Sequence, residues 1–488
     1  MRRVVNLLSN PREHARTVLN DSLLRNTFFL LLSMGVNAGL GFFFWIIVTH
    51  YYSAATVGLA STMIASLGLL TQFSLLGLNI GVVRYIRDFP RSSLLTVAFV
   101  GSALAALVTA SIFLVILPSV SPTLMLLREN TLVIALFIVT VVLMTWFVLM
   151  SGVFNSLLAN QWILLQNIIF SVGKLILPAL LVGFGAWGMF GSWVISGSVA
   201  TLVCISILVV KFDYRPTWRA DLAVAKAVFP YSVGNYLEGF IGSLPILLLP
   251  LIVTNTLGTE TTAYFSIAMT IAGMVFFVPQ AAAQTMFAEG ANDPEKLLKL
   301  FYKTRKMVFL LVTVIVLAVL VLAKPVLSVF GEEYAFGAAQ FLQLLALSSF
   351  IVAYNGMFAM VMRLQNRVKS LLVISSLFAA SVLLTVYSID VLTLKGVALS
   401  WIAGHLLVAV IYTVLFWGTP FALSKSNMPI AADSAVSEPN PALPLSAPSK
   451  KPRNSKKPSQ SKLASKIASR KSKASPKTKT KSKRKLAK

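Results

Sequence analysis

Charged residues, histidine and cysteine are all scarce in this 488-residue chain. Asp and Glu together number 16, His 3 and Cys 1, and charged residues make up only 12% of the chain. The single cysteine, Cys204, excludes an internal disulfide. The sequence also lacks a Cys/His metal-binding spacing, a glycine-rich phosphate loop and a G-x-S-x-G nucleophile motif. These absences argue against an enzyme. We expect no cofactor, and coupling to an ion gradient or to the membrane potential stays open.

Apolar residues are abundant instead. Hydrophobic residues make up 57% of the chain and the mean hydropathy is +0.81, which is typical of a membrane protein. A membrane-crossing helix needs about 20 apolar residues, and the sequence contains twelve such segments. They cover 24–49, 54–78, 92–118, 131–154, 161–185, 187–210, 227–254, 261–287, 304–329, 337–362, 368–388 and 394–418. The predicted fold class is an all-α, multi-pass membrane protein.

Basic residues are distributed unevenly among the connections between these segments. If the N-terminus lies in the cytoplasm, the cytoplasmic segments before the tail hold 20 Lys and Arg, and the outer connections hold three. This positive-inside bias predicts an even number of spans, with both termini on the cytoplasmic side of the cytoplasmic membrane. Residues 1–23 carry four arginines without a cleavage pattern, so we interpret them as a retained cytoplasmic segment.

Part of the first half of the chain is repeated in the second. Residues 47–68 (IVTHYYSAATVGLASTMIASLG) align without a gap with residues 252–273 (IVTNTLGTETTAYFSIAMTIAG). A parallel repeat of this kind predicts two pseudo-symmetric six-helix lobes with a cleft between them, formed within one monomer. The predicted boundaries are 24–210 for the N-lobe, 211–226 for a cytoplasmic linker, 227–418 for the C-lobe and 419–488 for a tail.

The tail carries much of the basic charge. Of the 42 Lys and Arg in the chain, 18 lie after residue 424, among Ser, Pro and Ala, so we expect this segment to be disordered. One interpretation is a solvated tail that fixes the topology. The other is adhesion to the anionic membrane surface, worth about 1 kcal/mol per basic residue. Nucleic-acid binding is less favoured, because interleaved aromatic residues are missing.

Two ionisable residues interrupt the apolar segments. Lys174 lies in the fifth segment and Glu238 in the seventh, and a charge at a helix centre costs about 2.5–3.5 kcal/mol unless it meets a partner or a wet cavity. Asn167 and Ser171 share the helix face of Lys174, and Asn235 shares that of Glu238. Lys174 and Glu238 therefore either form a structural ion pair, or Lys174 meets an anionic substrate in a cavity.

Glu238 has two further interpretations, as an acceptor for a substrate hydroxyl or as a cation-coupling site. His405, in the twelfth segment, is expected to be packed and hydrogen-bonded. The remaining polar residues of the segments either line a cavity or form hydrogen bonds between helices. They are Asn37, Gln72, Gln166, Gln280, Gln284 and Asn355.

Three stretches resemble one family of membrane proteins. Residues 23–61, LLRNTFFLLLSMGVNAGLGFFFWIIVTHYYSAATVGLAS, resemble the opening of the polysaccharide biosynthesis, or oligosaccharide flippase, family of the multidrug/oligosaccharidyl-lipid/polysaccharide exporter superfamily. LGLNIGVVRYIRDFP, which contains Arg84, resembles the end of its second span. GKLILPALLVGFGAWGMFGSWVIS, which begins beside Lys174, resembles the passage from its fifth to its sixth span.

The resemblance implies a flippase for a polyprenyl-(di)phosphate-linked oligosaccharide, working by alternating access between the lobes. It implies that Lys174 pairs with the phosphate or with acidic sugars, that Arg25 and Arg84 gather the headgroup at the cytoplasmic mouth, and that other glycan-assembly enzymes are partners. Glu238 has no place in the resemblance. The alternatives are a cation-coupled exporter of small molecules from the same superfamily, with Glu238 as its working carboxylate, and a non-transporting scaffold. The polar faces inside the segments argue against a scaffold.

Overall fold

The computed structural model describes residues 22–216, 221–292, 297–365, 367–389 and 391–416, and the regular elements in these ranges are helices. The first half contains α1 (Ser22–Tyr51), α2 (Ala54–Leu75), α3 (Leu78–Tyr85), α4 (Arg91–Val120), α5 (Thr131–Ser156), α6 (Gln161–Leu180) and α7 (Ala186–Phe212). The second half contains α8 (Leu222–Leu257), α9 (Thr259–Asn292), α10 (Leu297–Ser328), α11 (Glu332–Gly337), α12 (Ala339–Leu364), α13 (Val368–Tyr387) and α14 (Leu394–Leu415). The predicted tail lies outside the described residues.

Twelve helical spans in the described ranges are long and apolar enough to cross a membrane, with α2 and α3 together forming one of them. Each coincides with a predicted segment, so the prediction of an all-α, multi-pass membrane protein is confirmed. Large apolar side chains are exposed on the outer faces of α4 and α10, at the three- and four-residue spacing of one helix side. Such a surface is suited to acyl chains.

Polar side chains cap several of the helices where the apolar runs begin. Asn130 accepts a hydrogen bond from the backbone N–H of Val133 (3.0 Å) at the start of α5, and Thr393 accepts one from Gly396 (3.1 Å) at the start of α14. A side-chain cap of this kind is worth about 1 kcal/mol, because it satisfies a donor that the first helical turn leaves free. The helix starts are therefore encoded locally.

The two halves repeat the same order of helices. α5 and α12 are both 26 residues long, and α6 and α13 are both 20. A short helix precedes each of the 26-residue helices, a 3₁₀ helix at Pro122–Arg128 before α5 and α11 before α12. The packing partners also correspond, because α1 packs against α6 as α8 packs against α13. The residue boundaries assigned above to the lobes and the linker stay predictions.

The halves meet tightly along α2. Gly58 lies against the start of α9, where a Cβ on this glycine would stand 1.6 Å from the carbonyl oxygen of Thr259. Beside it the hydroxyls of Thr62, Thr254 and Thr262 form a buried chain of hydrogen bonds that joins α2, α8 and α9. This end of the molecule is closed by backbone contact and hydrogen bonding.

The second span is broken between α2 and α3. Leu76 and Gly77 both have positive φ, 49° and 70°, and a Cβ on Gly77 would stand 2.3 Å from the carbonyl oxygen of Ser232 on α8. The hydroxyl of Tyr236 donates to the backbone oxygen of Gln72 (2.9 Å) and to its Oε1 (2.8 Å). The second half thus satisfies a carbonyl that the end of α2 leaves free.

Candidate functional site

A cavity of about 600 Å³ lies among α1, α6, α7 and α9. Its wall is mostly apolar or glycine, and its polar groups are Asn37, Lys174 and Thr270. The aromatic residues of the wall are Trp45, Phe170, Trp193 and Phe277. A mostly apolar pocket with few polar groups is the usual form of a small-molecule site.

Lys174 projects from α6 into this wall and is only 3% exposed. Its Nζ lies 3.5 Å from Oδ1 of Asn37, 4.6 Å from the centre of the Phe170 ring and 5.1 Å from that of Trp193. An ammonium over an aromatic face is attracted by the electrons of the ring. Within the described residues no carboxylate forms an ion pair with Lys174. In the described part of the chain, the groups that stabilise this ammonium are one amide oxygen and two aromatic rings.

Gly41 keeps the space beside the ammonium open. A Cβ at this position would stand 3.8 Å from Nζ of Lys174, and Gly41 lies one turn after Asn37 and one turn before Trp45 on the same face of α1. An incoming group can therefore approach the ammonium along the α1 backbone.

Three polar contacts join α6 to α1, and their residues on the α6 side are spaced seven apart. Asn160 donates from its backbone N–H to Oδ1 of Asn26 (3.0 Å), and Asn167 donates to the hydroxyl of Ser33. Lys174 follows seven residues after Asn167. A seven-residue repeat is the spacing at which two closely aligned helices keep the same faces together. These contacts hold α6, and with it Lys174, in register with α1.

Glu238 lies elsewhere and has a different partner from the one considered in the sequence analysis. Its Oε2 lies 3.0 Å and its Oε1 3.3 Å from Nη2 of Arg363, and the hydroxyl of Ser375 donates to Oε1 (3.2 Å). The Lys174–Glu238 ion pair is therefore wrong. Arg363 is the partner of Glu238 instead of Lys174, because the last turn of α12 places its guanidinium against α8.

The remaining predicted site residues are not brought to the cavity wall. Arg84 forms an exposed ion pair with Asp88 at 3.2 Å on α3, and Asn235 donates to the carbonyl oxygen of Tyr231 on its own helix (2.9 Å). Arg25 lies half-buried in the first turns of α1. Asn167 supports α6 as described above. Their roles toward a substrate stay predictions.

Several polar residues that were open to either interpretation form hydrogen bonds between helices. Gln166 donates to the carbonyl oxygen of Phe147 (2.7 Å), and Gln72 accepts from Tyr236. Asn355 donates from Nδ2 to Nδ1 of the His405 ring (3.3 Å) and to the backbone oxygen of His405 (2.9 Å). The ring centre of His405 lies 4.5 Å from that of Phe378 and 4.9 Å from that of Trp401. His405 is thus packed and hydrogen-bonded, as expected. Gln280 is exposed, and the side chain of Gln284 lies outside the described residues.

The sequence analysis missed the aromatic wall and Arg363. Spacing offered a signal for Trp45, since it continues the four-residue series of Asn37 and Gly41. For Trp193 and Arg363 no such signal existed. Trp193 reaches the site by the packing of α7, and Arg363 reads as an ordinary basic residue at a helix end.

Comparisons with known proteins show where similarity lies. The family described as "Polysaccharide biosynthesis protein" matches residues 23–287 of this chain, and the family described as MatE matches residues 240–389. No curated protein matches the chain.

Solved structures of similar fold include the "Lipid II flippase MurJ, inward closed conformation", with a TM-score of 0.61 and 11% identity over 80% of this chain and 88% of that one. They also include a multidrug resistance MATE family transporter of the MOP superfamily. Its inward-facing structure gives a TM-score of 0.59 and 16% identity, over 78% of this chain and 96% of that one. An outward-facing structure of a multidrug resistance MATE family transporter of the MOP superfamily gives a TM-score of 0.51 and 17% identity, over 80% of this chain and 93% of that one. At these identities the similarity concerns the fold.

Proposed function

Because this chain belongs to the polysaccharide biosynthesis protein family, we propose that it is a flippase and not an enzyme. Its substrate is a polyprenyl-(di)phosphate-linked oligosaccharide, which it moves across the cytoplasmic membrane by alternating access.

The environment of Lys174 carries this proposal. A buried ammonium without a carboxylate is costly, and the cost falls when an anion joins it. The phosphate of a lipid-linked sugar is such an anion, and ammonium–phosphate hydrogen bonds are short and strong. Gly41 leaves the approach to Nζ open. Trp45 and Trp193 line the same cavity, where their rings can contact the sugar.

The way the two halves meet supports a lipid substrate. α8 lies along α2 and α3 for much of its length, whereas α1 and α9, the corresponding pair by the internal repeat, touch at few positions and leave the cavity between them. Phe277 of the cavity wall is 51% exposed. An opening between two spans lets a headgroup enter the cavity while its polyprenyl chain stays among the acyl chains.

Alternating access assigns a role to the closed end. By the positive-inside pattern, the ends of α2 and α9 that meet at Gly58 and Thr259 face outward, and the cavity then faces the cytoplasm. Release of the headgroup requires that this backbone contact and the hydrogen bonds of Thr62 separate while the opposite end closes. The repeat supports such a motion, because the two halves have equivalent helices on both sides of the contact.

A second candidate is a cation-coupled exporter of small molecules, which the MatE match over residues 240–389 favours. That function needs a carboxylate that is free to bind the cation. Glu238 is the acidic residue available near mid-span, and both its oxygens already accept hydrogen bonds from Arg363. The ion pair therefore counts against this candidate.

The test is translocation in liposomes that contain purified protein and a fluorescent polyprenyl-diphosphate oligosaccharide. We expect wild type to flip the headgroup and Lys174→Gln to be slower by about tenfold, which corresponds to the loss of one charge-assisted hydrogen bond. Lys395→Gln, which removes an exposed lysine at the start of α14, is the matched control and retains full activity.

Three outcomes separate the alternatives. Equal flipping by wild type and Lys174→Gln contradicts the role of Lys174 and keeps the flippase. Absence of flipping by wild type, together with efflux of small cations that requires Glu238, replaces the flippase by the exporter. Slow flipping by both lysine variants points to a general charge effect and also contradicts the role of Lys174.

A further inference from the structure

Arg363 has hydrogen-bonding capacity that its partner does not use. Only its Nη2 is bonded to the carboxylate of Glu238, and the contact of Nη1 is with Sδ of Met360 at 3.8 Å. A guanidinium presents five N–H donors in a planar fork that matches carboxylate and phosphate oxygens. The side chain is 40% exposed, whereas that of Glu238 is 17% exposed. The fork is thus accessible, although one carboxylate already occupies part of it.

The surroundings allow the carboxylate to move. Gly234 lies one turn before Glu238 on α8, and a Cβ there would meet no atom within 4 Å. The hydroxyl of Ser375 donates a hydrogen bond to one carboxylate oxygen of Glu238, Oε1. Glu238 therefore has open space toward Gly234 and is held by two side chains.

The ion pair and Lys174 lie at different heights along the spans. Ser375 lies seven residues into α13, about 10 Å along the helix, and Lys174 lies thirteen residues into α6, about 20 Å along it. α6 and α13 occupy corresponding places in the two halves and start at the same end. Arg363 consequently lies nearer to the proposed cytoplasmic end than Lys174 does, by roughly 10 Å.

We propose that Arg363 is a second anion-binding residue, at which a phosphate of the headgroup displaces the carboxylate of Glu238 before the headgroup reaches Lys174. This rests on the proposed flippase function. Before the exchange Glu238 occupies the place of the phosphate and keeps the guanidinium paired. An uncharged lipid headgroup cannot displace the carboxylate, so the exchange selects for anionic headgroups.

The experiment measures equilibrium binding of a short-chain prenyl diphosphate to the full chain in nanodiscs of phosphatidylcholine, whose zwitterionic headgroup carries no net charge. We expect Glu238→Gln to bind the probe about threefold more tightly, because the phosphate no longer has to displace a carboxylate and an ion pair this exposed is weak. Arg363→Gln should bind about tenfold more weakly. In the double variant Glu238→Gln/Arg363→Gln, the increase in affinity that Glu238→Gln causes should disappear. Lys369→Gln, the loss of an exposed charge near the start of α13, is the matched control and should bind like wild type.

The double variant distinguishes phosphate binding by the Arg363 guanidinium from a general effect of removing one negative charge. An equal gain from Glu238→Gln with and without Arg363 would overturn the proposal, since removal of any negative charge would then explain it. Arg363→Lys keeps the charge and loses the planar fork, so it should bind several-fold more weakly than wild type even if Arg363→Gln fails to fold. Binding by Arg363→Lys equal to that of wild type would also overturn it.

Lys174→Gln separates this inference from the proposed function. If Lys174→Gln weakens binding and the variants of Glu238 and Arg363 do not change it, Arg363 is not an anion site and the flippase proposal stands. If wild type does not bind the probe at all, both proposals fail.

Discussion

Gly58 is the position where a single methyl group has the most predictable effect. Its Cα lies so close to α9 that a Cβ would stand 1.6 Å from the carbonyl oxygen and 2.6 Å from the carbonyl carbon of Thr259. Both are backbone atoms, so no side-chain rotation relieves the overlap. Gly58→Ala therefore forces α2 and α9 apart at the end where the two halves touch.

The size of the effect can be estimated because the Gly58→Ala overlap occurs only while this end is closed. Overpacking of a close contact costs about 1–3 kcal/mol, and the cost disappears in any conformation in which this end opens. The equilibrium between closed and open forms of this end should shift toward the open form by a factor of about 5–150. The methyl group also raises helix propensity by about 1 kcal/mol, in both forms equally. The shift in the closed–open equilibrium therefore measures the effect of the Gly58–Thr259 contact.

Spin-label distances across this end provide the assay. Tyr51→Cys and Glu333→Cys place labels on exposed positions of the two halves, in a Cys204→Ala background. Gly58→Ala should add a population at longer distance. Gly39→Ala is the control, because a Cβ there meets no atom within 4 Å. A distance distribution for Gly58→Ala that matches that of Gly39→Ala would refute the reasoning, and with it the backbone contact as the closure of this end.

Two further predictions concern tyrosine hydroxyls. Tyr236→Phe leaves the carbonyl of Gln72 without its donor, so the free energy of unfolding, measured by thermal or denaturant unfolding, should fall by about 1–3 kcal/mol. Tyr387→Phe, at an exposed position, is the control and should be as stable as wild type. Tyr52, in the link between α1 and α2, donates to the carbonyl oxygen of Pro178 (2.7 Å), and burial raises its pKa. Because the unfolded tyrosine ionises near pH 10 and the folded one at higher pH, the contribution of Tyr52 should be constant below about pH 10 and decline above it. Tyr52→Phe should show a smaller alkaline loss of stability, and an equal loss would contradict this.

The helices could be predicted from the sequence because each depends on a contiguous stretch. About 20 apolar residues in a row suffice for a span whatever their neighbours are. The starts of α5 and α14 follow from capping residues three positions away from the N–H groups that they bind. The ends of predicted and observed spans differ by a few residues, as at α8, which begins at Leu222, five residues before the predicted start, because Asp221 caps its first backbone N–H groups.

Of the candidate site, too, only part could be predicted from the sequence. Lys174 stands out in the sequence, because a lone cation in an apolar helix is costly wherever that helix packs. Its environment is contributed by α1, α7 and α9, and no local pattern states that Trp193 lies above its ammonium or that Gly41 leaves a space beside it.

By itself, the sequence determined which segments are helical, that they repeat in two halves, and which buried charges need a partner. Each of these depends on the composition or periodicity of contiguous residues. Only the tertiary structure decided that Glu238 pairs with Arg363, 125 residues away, and that Asn37 and two rings surround Lys174. A charge accepts any partner of suitable chemistry, and the packing of the helices decides which one lies within reach.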